Sequence, residues 1–369
     1  MASVKDIMDA LGEAFPWELA PEGDRSGILV GSLKSVVTRV LCSIELNGVV
    51  VEHAIALGCE LLVTHHNHIL SLPTAPWDAD TPAGALAGRA IEGGLSIVAC
   101  HACADAAEGG TADLMAERLG LEVSGPLEPS KEAFWAKVVV FVPPEALEDV
   151  SAAMAEAGAG NIGDYRHCSF RVSGTGTFVP GERAEPYSGK GGVLNREEEV
   201  RLEMLAPSFN VPRVVEALLG KHPYEEPAYD VYRTEAAVPW GAGRMGTLGQ
   251  ERTCRAILGD LAAWSGSGRA ALFGDPARRV TRAAVAPGAA GVLGRPAHRA
   301  GCELLIAGEM GWHETGEANE AGMSVICLGN VESERALVPA MVGLLERASE
   351  RGFWGLDIEG YGQEEEHWG

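Results

Sequence analysis

The chain has 369 residues, enough for two or three domains with proper cores, and carries 52 acidic against 29 basic side chains, a net charge of −23. No basic stretch offsets that charge, which argues against a general nucleic-acid binder or a ligand of anionic membranes. Hydrophobic residues make up 46% and aromatics only 6%, so small aliphatic side chains must fill the cores.

No apolar run reaches 18 residues, and the opening Met1-Ala2-Ser3-Val4-Lys5-Asp6 lacks the apolar stretch of a signal peptide. The expectation is a cytoplasmic protein. Eight cysteines are scattered at 42, 59, 100, 103, 168, 254, 302 and 327. Several lie in apolar runs, as reduced, buried thiols do. Cys100 and Cys103 form a CxxC pair, but without a second pair it does not point to zinc, and a redox role stays open.

In chain order, residues 4–15 have helical spacing, with Val4, Ile7, Met8, Leu11 and Phe15 on one side. The stretch 27–31 is apolar between glycines. Residues 36–44 read as a strand, 49–57 as a helix and 60–63 as a short buried strand. That strand ends in Thr64-His65-His66-Asn67-His68. Open α/β sheets build their sites at the carboxyl ends of strands. Neighbouring strand residues point to opposite faces, so the rings of His65 and His66 converge only if the chain turns there. A helix at 84–93 and a strand at 95–100 follow. This β-α-β alternation predicts a parallel sheet with helices packed on it.

The far end of the chain repeats the pattern. Val37-Thr38-Arg39 recurs as Val280-Thr281-Arg282, and Gly58-Cys59-Glu60-Leu61-Leu62 as Gly301-Cys302-Glu303-Leu304-Leu305. Both offsets are 243 (280 − 37 and 301 − 58). A duplicated β-α-β half, one copy at each end, is the simplest account. In that register His66 corresponds to Glu309. After matching strands come His101-x3-Asp105 in one half and Asn330-x3-Glu334 in the other.

Between the halves the order changes to strand 134–142, helix 145–157, strand 167–173, strand 198–205, helix 211–219 and strand 228–232. That is the ferredoxin-like β-α-β-β-α-β signature. The expected architecture is therefore α/β: an N-terminal lobe at 1–130, an inserted ferredoxin-like domain at 131–235 and a C-terminal lobe at 236–369. The loop Ser188-Gly189-Lys190-Gly191-Gly192 lacks phosphate-loop spacing and reads as a turn. Glu364-Glu365-Glu366 reads as part of a solvated tail.

His65, His66, His101, Asp105 and Glu334 are too many ligands for one four-coordinate ion. They suit a pair of divalent transition-metal ions (Zn, Fe, Mn, Co or Ni) bridged by a carboxylate. His313, in Gly308-Glu309-Met310-Gly311-Trp312-His313, is the candidate catalytic residue, as a proton carrier or substrate contact, with a plain surface histidine as the alternative.

These residues resemble the Nif-three-like family of dinuclear-metal proteins, also named GTP cyclohydrolase I type 2 homologues. The likeness rests on Thr64-His65-His66, on His101-x3-Asp105-x3-Gly109-Gly110, on Gly160-Asn161-Ile162-Gly163-Asp164-Tyr165 and on His222-Pro223-Tyr224-Glu225-Glu226-Pro227-Ala228-Tyr229-Asp230. It implies two Rossmann-like lobes, an inserted domain and a toroidal homohexamer with metal sites facing its interior. It also implies metal ligands at His65, His66, His101, Asp105 and Glu334. Two departures stand out. Asn330 occupies the place of a histidine, and an amide is a poorer ligand for a transition metal; His68 or His313 would have to compensate. Gly23-Asp24-Arg25-Ser26-Gly27 stands where the family usually has Trp-Asp-Asn-x-Gly.

The implied activity is opening of the guanine imidazole ring of GTP, with loss of formate. Its small-molecule substrate would then be a nucleotide. The alternatives are a metal-binding regulatory or assembly protein whose insert senses a ligand, and a metal-dependent phosphoesterase.

Overall fold

The computed structural model describes residues 1–67, 78–266 and 268–362. His68 and the acidic stretch 364–366 lie outside the described residues. The chain forms two compact units, Met1–Glu132 with Pro239–Gly369, and Ala133–Val238. No described helix is long and apolar enough to cross a membrane.

In the first unit, one sheet runs in the order Asp357–Gly360, Arg39–Ser43, Leu61–Thr64, Ser96–Ala99, Gly27–Val30. Its first four strands are parallel and Gly27–Val30 closes it antiparallel. Every residue of Leu61–Thr64 and Ser96–Ala99 is buried, because parallel strands are covered on both faces. Hence these segments read as unbroken apolar runs. The crossover helices start where side chains cap them. Asn47 accepts the N–H groups of Val49 and Val50 ahead of Gly48–Ala56, and Thr81 with Pro82 opens Pro82–Glu92.

A second large sheet of this unit runs Ala271–Phe273, Ser324–Cys327, Leu304–Glu309, Arg279–Ala289, Gly241–Thr253, Leu121–Pro129. The recurring strings make the same contacts in both sheets. Glu60 accepts the N–H groups of Thr38 and Arg39, at 3.0 and 2.9 Å. Glu303 accepts those of Thr281 and Arg282, at 2.6 and 3.0 Å. Arg39 donates to the Leu57 carbonyl and Arg282 to the Ala300 carbonyl, again 243 positions apart (300 − 57).

The sheets exchange strands. Leu121–Pro129, from the N-terminal half, pairs with Gly241–Thr253 at the edge of the C-terminal sheet. Asp357–Gly360, from the C-terminal half, pairs with Arg39–Ser43 in the N-terminal sheet. Neither strand stands out in the sequence. The first holds Gly125, Pro126 and Pro129, which only an edge strand tolerates, and the second is mostly exposed.

Arg244, on Gly241–Thr253, is 1% exposed. It donates to both carboxylate oxygens of Asp113 and to the carbonyls of Gly241, Gly243 and Ala107, all within 2.9 Å. An arginine so deep is tolerated because each donor meets an acceptor.

In the second unit, an antiparallel sheet runs Tyr229–Arg233, Trp135–Val142, Asn195–Pro207, Phe170–Phe178. Val138, Val140, Val142, Leu202 and Met204 alternate along the central strands. They pack on Met154 of Leu147–Glu156 and on Val214 and Leu218 of Val211–Lys221.

Candidate metal centre

The strand Leu61–Thr64 carries the chain to the carboxyl edge of its sheet, where it turns. The Thr64 hydroxyl donates to the His66 carbonyl at 2.9 Å, while the N–H groups of His65 and His66 stay bonded to the Ser43 and Ile44 carbonyls. The turn brings the two imidazoles together, with ring centroids 5.0 Å apart.

His65 is wholly buried. Its Nδ1 lies 2.7 Å from the Cys100 carbonyl, which can only accept, so Nδ1 carries a proton, and once the ring is neutral its lone pair is at Nε2. Nε2 meets no hydrogen-bond partner and sits 3.5 Å from both Asp105 Oδ1 and Glu334 Oε1. His66 places Nδ1 2.9 Å from Glu45 Oε1 and Nε2 3.0 Å from Glu334 Oε2. His101 turns Nδ1 to Asp24 Oδ1 at 2.6 Å, and its ring centroid is 5.4 Å from that of His65. Asp24 is itself held by the Ser26 N–H and hydroxyl.

Two short helices deliver the carboxylates. Ala102–Ala106 carries Asp105, which accepts the Thr111 hydroxyl at 2.6 Å. Asn330–Glu334 carries Glu334, 3% exposed. Its neighbour Ser333 accepts the Gly288 N–H and donates to the Asn330 carbonyl. Gly288 has φ +70°, and a Cβ there would lie 2.5 Å from Glu334 Oε1 and 3.4 Å from Asn330 Oδ1. Glycine suits the positive φ and leaves Glu334 its place. Asn330 Oδ1 is buried without a hydrogen-bond partner.

His65, His66 and Glu334 offer ligand atoms that all lie within 4.8 Å of one another. Ligands about 2.1 Å from a tetrahedral ion are roughly 3.4 Å apart. The two 3.5 Å separations at His65 Nε2 match that spacing and exceed the about 2.7–2.9 Å of charge-assisted hydrogen bonds, whereas the 3.0 Å contact of His66 Nε2 with Glu334 has the length of a hydrogen bond. Imidazole with carboxylate suits transition metals rather than Mg or Ca. The residues fit a metal ion.

The clustered groups also shift one another's protonation. Burial alone would lower both imidazoles. The charges of Asp105 and Glu334 instead raise His65 to about 9, and hydrogen bonds to Glu334 and Glu45 raise His66 to about 10. Glu334, despite its burial, is held at about 2 by the two rings. Partial burial and the nearby Glu334 charge push Asp105 up. The metal-free cluster therefore holds protons that a metal must displace. Loading one ion at pH 7 is expected to release about two protons, and affinity is expected to rise with pH until the imidazoles deprotonate unaided. Calorimetry in buffers of different ionisation enthalpy measures this. Release near zero would rule out His65 and His66 as ligands.

His313 stands apart. It is exposed on Trp312–Glu320 and lines a cavity with His298, Arg299 and Glu314, whose lining includes none of His65, His66, His101, Asp105 or Glu334. Glu309, the register partner of His66, is exposed. Cys100 and Cys103 are buried, free thiols. Sequence reasoning passed over Asp24, Glu45 and Thr111, which orient the cluster. Glu45 had a signal, as a lone carboxylate in the apolar run 40–46, and Asp24 lay in a stretch already singled out.

The sequence profile of the Duf34/NIF3 family (NGG1p interacting factor 3) matches residues 2–364. This chain belongs to the Duf34/NIF3 family. It is 35% identical to the GTP cyclohydrolase 1 type 2 homolog of Halalkalibacterium halodurans over 86% of each chain. With the protein of the same name from Mycobacterium tuberculosis it shares 36%, over 85% of this chain and 83% of that one. Among solved structures, a Bacillus cereus protein related to NIF3 superposes with a TM-score of 0.86 at 32% identity, covering 97% of this chain and 96% of its own. The resemblance carried by residues 64–66, 101–110 and 222–230 is thereby borne out, and the mixed α/β architecture is that of the NIF3 fold.

Proposed function

We propose that this NIF3 protein is a metal-dependent hydrolase of the kind its relatives are named for, acting on a purine nucleotide with two divalent transition-metal ions. The observation that carries this reading is the convergence of His65, His66 and Glu334, with Asp105 3.5 Å from the same His65 nitrogen. Bound metal would lower the pKa of a water and polarise the bond under attack. The protein's own part is positional. Glu45 and Asp24 hold His66 and His101 by their Nδ1 atoms, leaving each Nε2 for a ligand, and Glu334 spans both rings of the His65-His66 pair. His313 as proton carrier has less support, since its cavity is lined by none of the cluster. The fold that goes with this reading is a pair of duplicated Rossmann-like lobes with a ferredoxin-like insert. The matching clamps of Glu60 and Glu303 and the strand order of the second unit support it.

One residue favours a second reading, a non-catalytic metal-binding regulatory protein. Asn330 offers an amide oxygen where the family resemblance implies imidazole, which weakens one of two adjacent metal positions. Elemental analysis of protein purified without added metal, for wild type and Asn330→His, separates the two. About two ions per wild-type chain, with formate released from GTP, is the expected result. About one ion, rising to two in the variant, with GTP untouched, would support the regulatory reading. No metal in either protein would sink both.

A further inference from the structure

The motif His222-Pro223-Tyr224-Glu225-Glu226-Pro227 plays no part in the metal centre. It belongs to the Ala133–Val238 unit, and there it forms one wall of a cavity of about 590 Å³. The floor is sheet, provided by Phe141, Glu199, Arg201 and the stretch 172–178. The loop containing Pro186 and Tyr187 forms the facing wall.

The walls are built rather than loosely draped. His222 Nε2 donates to the Phe141 carbonyl at 2.9 Å, which leaves Nδ1 to accept the Tyr224 N–H at 3.1 Å and fix the turn. Burial lowers the His222 pKa, consistent with this neutral tautomer. Glu225 Oε1 accepts the Glu185 N–H at 3.0 Å, tying the two loops together. The rings of Tyr187 and Tyr224 come within 5.8 Å, and Phe141 and Phe178 complete an aromatic lining. Tyr224 donates its hydroxyl to Glu199 Oε1 at 3.1 Å. The other oxygen of Glu199 lies 2.1 Å from where a Cβ on Gly176 would be, so the glycine makes room for the carboxylate on the cavity floor.

Charge sets the class of ligand. Glu199, Glu225 and Glu226 line the cavity, and among the described residues Arg201 is the one lining cation. Arg201 is already engaged, with Nε 2.7 Å from Glu203 and its guanidinium 5.9 Å from the Phe141 ring centroid. A phosphate or other anion would meet net repulsion there. Aromatic faces beside an oriented carboxylate are instead the chemistry that recognises an organic ammonium group.

We propose that this cavity binds a small organic amine, with its cationic nitrogen between Glu199 and the Tyr187 and Tyr224 rings and its apolar body on Phe141 and Phe178. The site stands on residues separate from the metal cluster, so it survives failure of the hydrolase reading.

The test uses the full chain with tyramine, spermidine and tetramethylammonium as probes, and GTP and inorganic phosphate as anionic controls. Ligand-observed NMR and thermal unfolding are the readouts. At least one amine is expected to bind the wild type at millimolar concentration and raise its Tm, while the anions neither bind this site nor compete. Glu199→Gln and Tyr187→Ala are each expected to weaken that amine about tenfold with metal content unchanged. Tyr187 is exposed on a loop, so its variant keeps the test sound if the Glu199 variant folds poorly. The proposal is overturned if none of the amines binds, if GTP or phosphate displaces them, or if both folded variants bind as the wild type does.

Discussion

Replacing Glu334 by glutamine is expected to empty the metal centre and to destabilise the metal-free protein as well. The carboxylate is 3% exposed and, among the described residues, is the single anion that approaches both His65, at 3.5 Å, and His66, at 3.0 Å. Its loss removes a ligand, takes the main counter-charge from His66 and leaves His65 with Asp105 alone. Breaking a buried ion pair from one side costs about 3–5 kcal/mol. The pH dependence follows from the direction of each shift. His65 and His66 are raised from 6.5 to about 9 and about 10, so their contribution is full below pH 6.5 and fades as pH climbs through those values. Glu334 is lowered from 4.5 to about 2, so its contribution is full above pH 4.5 and fades as pH falls toward 2. The stability gap between wild type and variant should therefore be widest between pH 4.5 and 6.5. Urea unfolding of chelator-treated protein across pH, with elemental analysis of untreated protein, measures both effects. A variant that keeps its full metal content would remove Glu334 from the ligand set.

Arg244→Met should cost a comparable amount, about 3–5 kcal/mol, with no change of formal ligand. Methionine keeps much of the volume but strands Asp113 and the carbonyls of Gly241, Gly243 and Ala107. Ala107 immediately follows Ala102–Ala106, the helix that carries Asp105. The same substitution should thus loosen Asp105 and lower metal affinity. Denaturant midpoints and metal titration are the measurements, and Arg244→Lys should fall between the two. A midpoint unchanged from wild type would mean that Asp113 and the carbonyls find other partners.

Much of the centre was legible because ligand chemistry leaves residue types in plain view. Adjacent histidines at the end of an apolar run, and carboxylates four positions after His101 and Asn330, could be named from the sequence alone. What the sequence hid were partners chosen by geometry. Glu45 and Asp24 are ordinary acids until the fold places them 2.9 and 2.6 Å from ring nitrogens. The Cys100 carbonyl has no sequence signature at all. The pairing of Leu121–Pro129 with Gly241–Thr253 was hidden for another reason. Edge strands with glycine and proline lack the alternation that marks half-buried strands. His313 illustrates the opposite error risk, since a histidine after a strand looks the same whether it faces the cluster or a separate cavity.

The exchanged strands bear on how the molecule comes into being. Asp357–Gly360 completes the N-terminal sheet beside Arg39–Ser43, and Arg39 grips Asp357 across 318 positions. A ribosome must release the chain through residue 360 before that edge can zip shut, and through residue 334 before Glu334 can join His65. Long-range pairings of this kind close late and slowly. A nascent chain stalled ahead of residue 330 would expose a half-built sheet edge and an incomplete ligand set, so metal capture should coincide with the last stage of folding.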